Sequence, residues 1–446
     1  MNHCFLLVSS MLSSAGIVSG PVQEAWVRRY HGAGYGDDRA IAVATDSTGN
    51  VYVTGSSFGS THNVSEYATI KYDSEGNQLW LARYHFRFNY GDEPVALALD
   101  AGGNAYVTGK ACTAAAIKGA CTKYAYGTIK YDPQGQLLWA AEYQAAGGDG
   151  LALAIAVDAA GNSYVTGSCR FLPYPYPPGG SDYSTIKYDT DGNVVWTARY
   201  HGGPSTSLDG ATAIAVDIQG NAYVTGGIGS GDRDVQYATI KYDADGSEVW
   251  VAHHPGRGGT ALARDADGNV YVTGLTLYPF YNYLTIKYDP EGTEVWVAQY
   301  GTETGTPHAL APDSAGNIYV TGDMGGQYAT TVKYDSKGTE LWVARYHGPG
   351  PYGAVAFRIA VDGQDNPYVT GTSSAVGSPF RWDYATIKYD PEGNEVWVAS
   401  YHGPADYADT AWSLALDGAG NVYVTGWSYQ STFGRYAEFA TIKYSQ

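Results

Sequence analysis

The stretch that decides the fold runs from Asp46 to Trp80. Its first part, Asp46-Ser-Thr-Gly-Asn-Val-Tyr-Val-Thr-Gly55, is followed after a loop by Tyr67-Ala-Thr-Ile-Lys-Tyr-Asp-Ser-Glu-Gly-Asn-Gln-Leu-Trp80. Asp-x-x-Gly is typical of a tight turn, and the flanking Val, Tyr, Thr, Ile and Trp favour β-strands. The stretch therefore predicts short strands joined by tight turns.

The same phrases recur eight times along the chain. The Tyr-Val-Thr-Gly phrase supplies Thr54, Thr108, Thr166, Thr225, Thr273, Thr321, Thr370 and Thr425, whose seven intervals average about 53 residues. The Thr-Ile-Lys-Tyr phrase supplies Lys71, Lys130, Lys187, Lys241, Lys287, Lys333, Lys388 and Lys443, and a tryptophan follows at Trp80, Trp139, Trp196, Trp250, Trp296, Trp342 and Trp397, with Trp26 before the first copy. Each period contains four short antiparallel strands, which predicts an all-β, eight-bladed β-propeller.

The two ends of the repeat array favour a closed ring over a stacked solenoid. Residues 24–30 form a lone fourth strand, and the last copy stops after its third strand at 440–444. We therefore predict that the N-terminal strand pairs with the C-terminal blade and leaves no open edge. One register of the first strand is always alanine, as expected where the innermost strands crowd the axis: Ala44, Ala98, Ala156, Ala215, Ala263, Ala311, Ala360 and Ala415.

Composition limits the classes of partner. The 446 residues contain 44 Asp+Glu and 26 Lys+Arg, a net charge of −18, which argues against a general nucleic-acid binder. No run of about 18 apolar residues occurs, so we expect no transmembrane segment. Residues 21–446 are predicted to form one propeller, which we expect to be monomeric.

The N-terminus and the cysteines bear on the compartment. Residues 1–20 are apolar and rich in small residues, which predicts a secretory signal peptide and a secreted or cell-surface protein. A mis-assigned start or a disordered cap are the alternatives, because this segment has no Lys or Arg. Cys112 and Cys121 share one loop, where they form either a small disulfide or two unpaired thiols.

The repeat resembles a known bacterial family, the SBBP β-propeller repeat. The resemblance rests on Asp-x-x-Gly-Asn-x-Tyr-Val-Thr-Gly and Tyr-Ala-Thr-Ile-Lys-Tyr-Asp-x-x-Gly-x-x-x-Trp, and it covers about residues 24–444. It implies a propeller and an exported or surface location. The family has no generally established activity, so the resemblance assigns no catalytic residue.

The repeated polar residues point to architecture more than to chemistry. The turn aspartates are interpreted as acceptors for their own turns, with calcium as the alternative, and we predict no cofactor. The strand lysines are predicted to pack between sheets with their heads paired to acids.

Five histidines directly follow a fourth strand, which predicts strand-end hydrogen bonds; they are His31, His85, His201, His347 and His402. The Asp73-to-Trp80 spacing is similar to the docking motif of quinoprotein dehydrogenases but one residue shorter, and their cysteine pair is missing. No catalytic motif was found, which argues against an enzyme.

The variable connections carry aromatic residues, and they lie on one face of the predicted ring. Rigid aromatics among Asn and Ser suit sugar faces or protein surfaces, so we predict a module that binds a glycan or a protein partner there. The candidate binding residues are Tyr174, Tyr176, Tyr278, Phe280, Tyr281, Trp382, Trp427 and Tyr429.

A second candidate set lies where the first strands begin. Four acids recur at one place, and three residues break the repeat; the acids are expected to form a partial ring of negative charge at the channel mouth. This set comprises Asp38, Asp92, Asp209, Asp409, His308, Arg358 and Trp412. The acids leave open a polysaccharide-degrading enzyme with paired carboxylates. A structural spacer in an extracellular assembly is the third alternative.

Overall fold

The structure, a computed structural model, is an eight-bladed β-propeller built from thirty-two strands. It describes residues 22–59, 64–87, 91–115, 121–144, 148–170, 180–202, 209–229, 235–277, 279, 281–377, 381–405, 407–430 and 436–446. The predicted signal peptide, residues 1–20, lies outside these ranges. The described residues contain no helix, and hence none long and apolar enough to cross a membrane.

Each blade is a four-stranded antiparallel sheet of chain-consecutive strands. Blades 1 to 4 comprise β2 (Arg39–Thr45), β3 (Val51–Phe58), β4 (Ser65–Tyr72) and β5 (Gln78–Tyr84); β6 (Glu93–Leu99), β7 (Ala105–Ala115), β8 (Cys121–Tyr131) and β9 (Leu137–Tyr143); β10 (Gly150–Val157), β11 (Ser163–Arg170), β12 (Ser181–Tyr188) and β13 (Val194–Tyr200); β14 (Gly210–Val216), β15 (Ala222–Ile228), β16 (Gln236–Tyr242) and β17 (Glu248–Pro255).

Blades 5 to 7 repeat this order, and blade 8 combines the two ends of the chain. Their strands are β18 (Gly259–Arg264), β19 (Val270–Leu275), β20 (Tyr283–Tyr288) and β21 (Glu294–Tyr300); β22 (Gly305–Pro312), β23 (Ile318–Met324), β24 (Tyr328–Tyr334) and β25 (Glu340–Tyr346); β26 (Ala354–Val361), β27 (Pro367–Ser374), β28 (Trp382–Tyr389) and β29 (Glu395–Tyr401); β30 (Thr410–Leu416), β31 (Val422–Tyr429), β32 (Ala437–Ser445) and β1 (Gln23–Tyr30).

The predicted ring closure is confirmed. β1 pairs antiparallel with β32, from Gln23 opposite Ser445 to Tyr30 opposite Phe439. The first strands of neighbouring blades contact one another around the whole ring, so they line the axis, and the fourth strands form the exposed rim. The predicted alanine register lies on these innermost strands.

Neighbouring blades are joined by a shared carbonyl. In blade 1, Trp80 Nε1 and Lys71 Nζ both donate to the Pro133 carbonyl in the third-to-fourth turn of blade 2, at 3.0 and 3.2 Å. The same pair of bonds to one carbonyl occurs at seven blade boundaries; the tryptophans are Trp26, Trp80, Trp139, Trp196, Trp250, Trp296 and Trp342. The repeated lysines are therefore structural, as predicted. Of the eight, only Lys71 and Lys333 have the expected acid within 4.0 Å; the partner shared by the lysines at these seven boundaries is a carbonyl.

The eighth boundary uses a side chain in place of the turn. Blade 8 has no covalent third-to-fourth turn, since its third and fourth strands come from opposite ends of the chain. Lys388 of blade 7 donates instead to the side-chain oxygen of Gln446. The Gln446 amide in turn donates to the Tyr368 hydroxyl and to the Gly420 carbonyl, at 2.6 and 2.9 Å.

The turn aspartates accept hydrogen bonds from their own turns, as predicted. One Asp46 oxygen accepts from the backbone amides of Thr48 and Asn50, at 3.0 and 2.9 Å, and the other accepts from the Asn50 side chain at 2.8 Å. The Tyr52 hydroxyl also reaches this carboxylate and donates to the Gly103 carbonyl of the next blade at 2.9 Å. The Asp46 turn is thereby fixed and tied to the next blade.

The docked tryptophan explains the glycine of the third-to-fourth turn. A Cβ added to Gly246 would lie 2.6 Å from Trp196, and the backbone there has a φ of +84°. We predict that Gly246→Ala lowers the free energy of unfolding by about 1–3 kcal/mol, since it forces a left-handed alanine and displaces the tryptophan. Urea unfolding monitored by tryptophan fluorescence measures this.

Gly418→Ala is the matched control. An added Cβ at Gly418 meets nothing within 4 Å, and no positive φ is required there. We expect a change within about 0.5 kcal/mol. Equal destabilisation by the two variants would contradict the docking account.

Candidate functional site

The four recurring acids are buried, which corrects the expectation of a charged ring at the channel mouth. Asp38, Asp92, Asp209 and Asp409 each have 0 % of their surface exposed. Their oxygens accept backbone amides: Gly32 and Phe58 donate to Asp38, and Gly202 and Gly229 donate to Asp209. Asp38, Asp92 and Asp209 thus hold the inter-blade connection against their blade's second strand, and Asp409 accepts the Gly403 amide of its connection. A fully buried carboxylate cannot present its charge to a soluble ligand.

Three of the strand-end histidines lie against these buried aspartates. His31 Nδ1 lies 2.7 Å from Asp38. His201 lies 2.8 Å from Asp182 and 3.6 Å from Asp209, and His402 is placed in the same way on Asp383 and Asp409, at 3.1 and 3.8 Å. The predicted strand-end hydrogen bonding is confirmed in these blades.

The two Asp-His-Asp clusters are the groups of the described chain whose ligand atoms lie close enough to share a cation. Most of their oxygens already have internal partners; the exception is Asp409 Oδ1, which is buried without a hydrogen-bond partner among the described residues. Arg199 and His201 contact Asp182, and the Gly202 and Gly403 amides donate to Asp209 and Asp409. We therefore interpret both clusters as internal ion pairs that fix the loops.

A bulge in every innermost strand supplies the functional candidates. In each blade the register between the first and second strands shifts by one residue, so that one residue is surplus to the pairing. The eight bulge residues are Ile41, Val95, Leu153, Thr212, Thr260, His308, Phe357 and Trp412. Because the innermost strands line the axis, the exposed atoms of these side chains face the channel.

Three consecutive bulges bring aromatic rings together. The His308 and Phe357 rings are 5.6 Å apart, and those of Phe357 and Trp412 are 4.9 Å apart. Trp427, on the second strand of blade 8, extends the series at 5.5 Å from Trp412. All four side chains are partly exposed. We call His308, Phe357, Trp412 and Trp427 the aromatic row.

Charged groups flank the aromatic row. The Arg358 guanidinium lies 5.9 Å from the Trp412 ring centre, and that of Arg39 lies 5.4 Å from the Trp427 ring centre. Arg39 is paired with Asp37 at 2.7 Å, and His308 Nε2 lies 3.1 Å from Asp323. Burial lowers the pKa of Arg358 because the charged form loses water. The row is therefore apolar in its centre with cations at its sides.

The opposite wall of the channel is different. Blades 1 to 3 carry aliphatic bulge residues, and blades 4 and 5 carry threonines that bond to their neighbours. Thr212 donates to the Gly259 carbonyl at 2.6 Å, and Thr260 donates to the Pro307 carbonyl at 2.9 Å. The aromatic surface is thus confined to blades 6 to 8, an asymmetry that suits one ligand lying against one wall.

The predicted aromatic loop residues separate into three groups. Tyr174, Tyr176, Tyr278 and Phe280 lie outside the described residues. Trp427 joins the aromatic row. Tyr281, Trp382 and Tyr429 lie elsewhere: Arg257 covers the Tyr281 ring at 4.7 Å, the Trp382 carbonyl accepts the Asp409 amide at 2.6 Å, and Tyr429 packs on Tyr407 at 4.9 Å.

The turn end of the channel forms a cavity of about 590 Å³. The recurring alanines of six blades line it, with Asp265, Asp267 and Asp313 at its rim. Arg264 is the one charged residue at its register and lies over Tyr223 at 4.4 Å, with Asp217 4.0 Å away. The sequence analysis missed this residue.

The structure joins Cys112 to Cys121 in a disulfide at the end of the β7–β8 hairpin. The Cys112 amide donates to buried Asp92 at 2.8 Å. The cross-link therefore closes the hairpin next to the buried carboxylate of Asp92.

Comparison with known families identifies the repeat. The SBBP family, described as a beta-propeller repeat, matches residues 25–60. Residues 25–60 carry the SBBP repeat. A search of curated proteins gave no match.

Among solved structures, the ring is similar to the Dos1 propeller, with a TM-score of 0.60, 11% identity and 95% of each chain covered. It is also similar to Chaetomium thermophilum Sqt1 bound to the N-terminus of ribosomal protein L10, with a TM-score of 0.58, 12% identity, and 93% of this chain and 99% of that chain covered. At these identities the likeness shows the fold alone.

Three residues of this site were not predicted from the sequence. His308 and Trp412 were recognised as departures from the repeat, but Phe357 between them was not singled out. Arg39 and Asp323 were also missed. Alignment of the eight copies on their alanine register was the available signal, because it places His308, Phe357 and Trp412 in consecutive copies.

The buried acids predict a pH effect on stability. Burial raises the pKa of Asp92 to about 6, although the Phe86 and Cys112 amides favour the charged form. An unfolded aspartate has a pKa of about 3.9, so the folded state binds the proton more tightly. This contribution to stability is fully present below about pH 4 and is lost as the pH rises through about 6.

We therefore predict that wild type gains stability relative to Asp92→Asn when the pH falls from 7.5 to 4.5. Urea unfolding of both proteins at the two pH values measures the change. Asp191→Asn, at an exposed turn residue, is the control and is expected to show no such change. A relative loss of stability for wild type at pH 4.5 would refute the assignment.

Proposed function

We propose that this protein is a secreted or surface-displayed binding module that holds a glycan against the aromatic row. The observation that carries the proposal is the row itself, in which partly exposed rings from three consecutive blades stand in contact on one wall of the channel mouth. Aromatic faces stack on the apolar faces of sugar rings, and their rigidity keeps the entropic cost of binding low.

The site also has the position expected of a binding surface. The aromatic row lies near the starts of the innermost strands, on the face that carries the variable connections. A rigid propeller holds these side chains, while the loops around them are free to vary. A protein partner at the same face is the alternative outcome of the test below.

Hydrolysis of a polysaccharide has less support. That alternative requires two carboxylates about 5–10 Å apart that both reach the substrate. The four acids it relied on have no exposed surface and are used by backbone amides. We therefore favour binding without cleavage.

Export is part of the same proposal. The predicted signal peptide at residues 1–20 and the Cys112–Cys121 disulfide support it, because disulfides persist in oxidising compartments. We predict that mass spectrometry of protein from the native host finds it outside the cytoplasm, with a new N-terminus near residue 21 and an oxidised peptide linking the two cysteines. A cytoplasmic, fully reduced protein would contradict export.

A substitution taken from the repeat itself tests the binding site. Trp412→Thr introduces the residue that two other blades carry at the same bulge, so we expect the fold to persist. On a glycan array followed by calorimetry, we predict that wild type binds and that Trp412→Thr weakens binding by at least about tenfold, as expected for an aromatic anchor.

Leu153→Thr is the matched control, since it makes the same replacement at the bulge of blade 3 on the opposite wall. We expect its affinity to stay within about twofold of wild type, since surface changes away from the anchor have small effects. Silence of folded wild type on the array, with capture of a protein in pull-downs from the native surface, would favour the protein partner. If neither the array nor the pull-down detects binding, the result would favour the third alternative, a structural spacer.

A further inference from the structure

We propose that the sugar held by the aromatic row is acidic and that Arg358 binds its carboxylate. This inference rests on the proposed function, and it adds the charge of the ligand. Its basis is a guanidinium beside the Trp412 ring, on a channel-lining strand, with no carboxylate of the described chain within 4.0 Å.

Arg358 departs from its register in a way that folding does not require. Six blades carry alanine at this position: Ala42, Ala96, Ala154, Ala213, Ala261 and Ala309. The blade therefore pairs and packs without a long side chain. An arginine here places a charge on the innermost strand, next to the aromatic row.

No acid of the described residues neutralises the charge of Arg358. Its one hydrogen bond to the described residues is from Nη1 to the Phe357 carbonyl at 2.9 Å. Four other arginines of the described strands rest on carboxylates: Arg29 on Glu438, Arg39 on Asp37, Arg83 on Glu66 and Arg199 on Asp182. Arg28 and Arg345 do not, and they donate instead to carbonyls of the next blade's turn and to the Tyr300 hydroxyl. A partly desolvated cation without an acid is costly, and an anionic ligand group would offset that cost.

The surroundings select a saccharide that carries a carboxylate. Trp412 and Phe357 offer flat apolar faces next to the guanidinium, so a single sugar ring can stack on them while its carboxylate meets the guanidinium fork. The protein has a net charge of −18, so its overall field repels anions and cannot produce this preference. Preference for an acidic sugar must therefore come from the local pair.

The test compares an acid with its own ester. Full-length protein is titrated calorimetrically with oligogalacturonate and with the same oligomer as its neutral methyl ester; oligomers of glucuronate and mannuronate are run alongside. We expect at least one uronate to bind about tenfold or more tightly than its ester, the size expected of a charge-assisted hydrogen-bond pair. The preference should shrink as salt is raised.

The variants assign the preference to one residue. Arg358→Ala restores the residue of the six other blades and should bring acid and ester to equal affinity. Arg264→Leu is the control, because Arg264 also covers an aromatic ring but lies at the turn end of the channel. It should keep the preference for the acid.

Three results would overturn the inference. They are equal binding of acid and ester by wild type, an undiminished preference in Arg358→Ala, and failure of all uronates to bind. If Trp412→Thr still abolishes binding of a neutral glycan in any of these cases, the proposed function stands and the inference about charge falls. If no glycan binds folded wild type, both fall.

Discussion

The structure depends on one carbonyl at each of seven blade boundaries. The carbonyl in a blade's third-to-fourth turn accepts from both the tryptophan and the lysine of the preceding blade. A backbone acceptor has two lone pairs, so both bonds form without competition. The lysine stem and head also lie against a tyrosine of their own blade; for Lys71 and Tyr52 the distance from the ammonium to the ring centre is 4.6 Å. The ammonium is thereby satisfied in the interior without an acid in most blades.

These contacts explain why a ring of this size is built from such repetitive sequence. A blade boundary is formed by the tryptophan and lysine on one side and by the turn on the other, so each unit must carry both halves. Tyrosine hydroxyls that reach the next blade's first turn add a second link, as in Tyr106 to Gly161 and Tyr164 to Gly220. A change in any one of these residues alters a blade boundary, whereas among the bulge side chains on the channel wall only Thr212 and Thr260 donate a hydrogen bond to a neighbouring blade.

The sequence predicted the architecture well because the signal is repeated. Blade number, strand order, ring closure, the alanine register and the self-bonded turns all follow from residues that recur, and all are found. The site was harder to predict, because its positions differ between blades. The aspartates before the first strand were misinterpreted since nothing in the sequence shows that a loop folds over them: Asp209 looks exposed until Gly202 and Gly229 are seen to bond to it. The bulge could not be predicted from the sequence either, and without it nothing marks Phe357 as a neighbour of Trp412.

The bulge has a consequence for how such a ring diversifies. One residue per blade is surplus to the strand pairing, so the backbone offers eight equivalent positions around the axis that contribute little to assembly. In this chain the residues at these positions range from isoleucine through threonine to tryptophan, while the strand pairing around them stays the same. A pore of this kind can be altered one side chain at a time, with each wall chosen independently, while the scaffold keeps the same sequence. Duplication of a blade therefore supplies a new variable position together with the contacts that hold it in place.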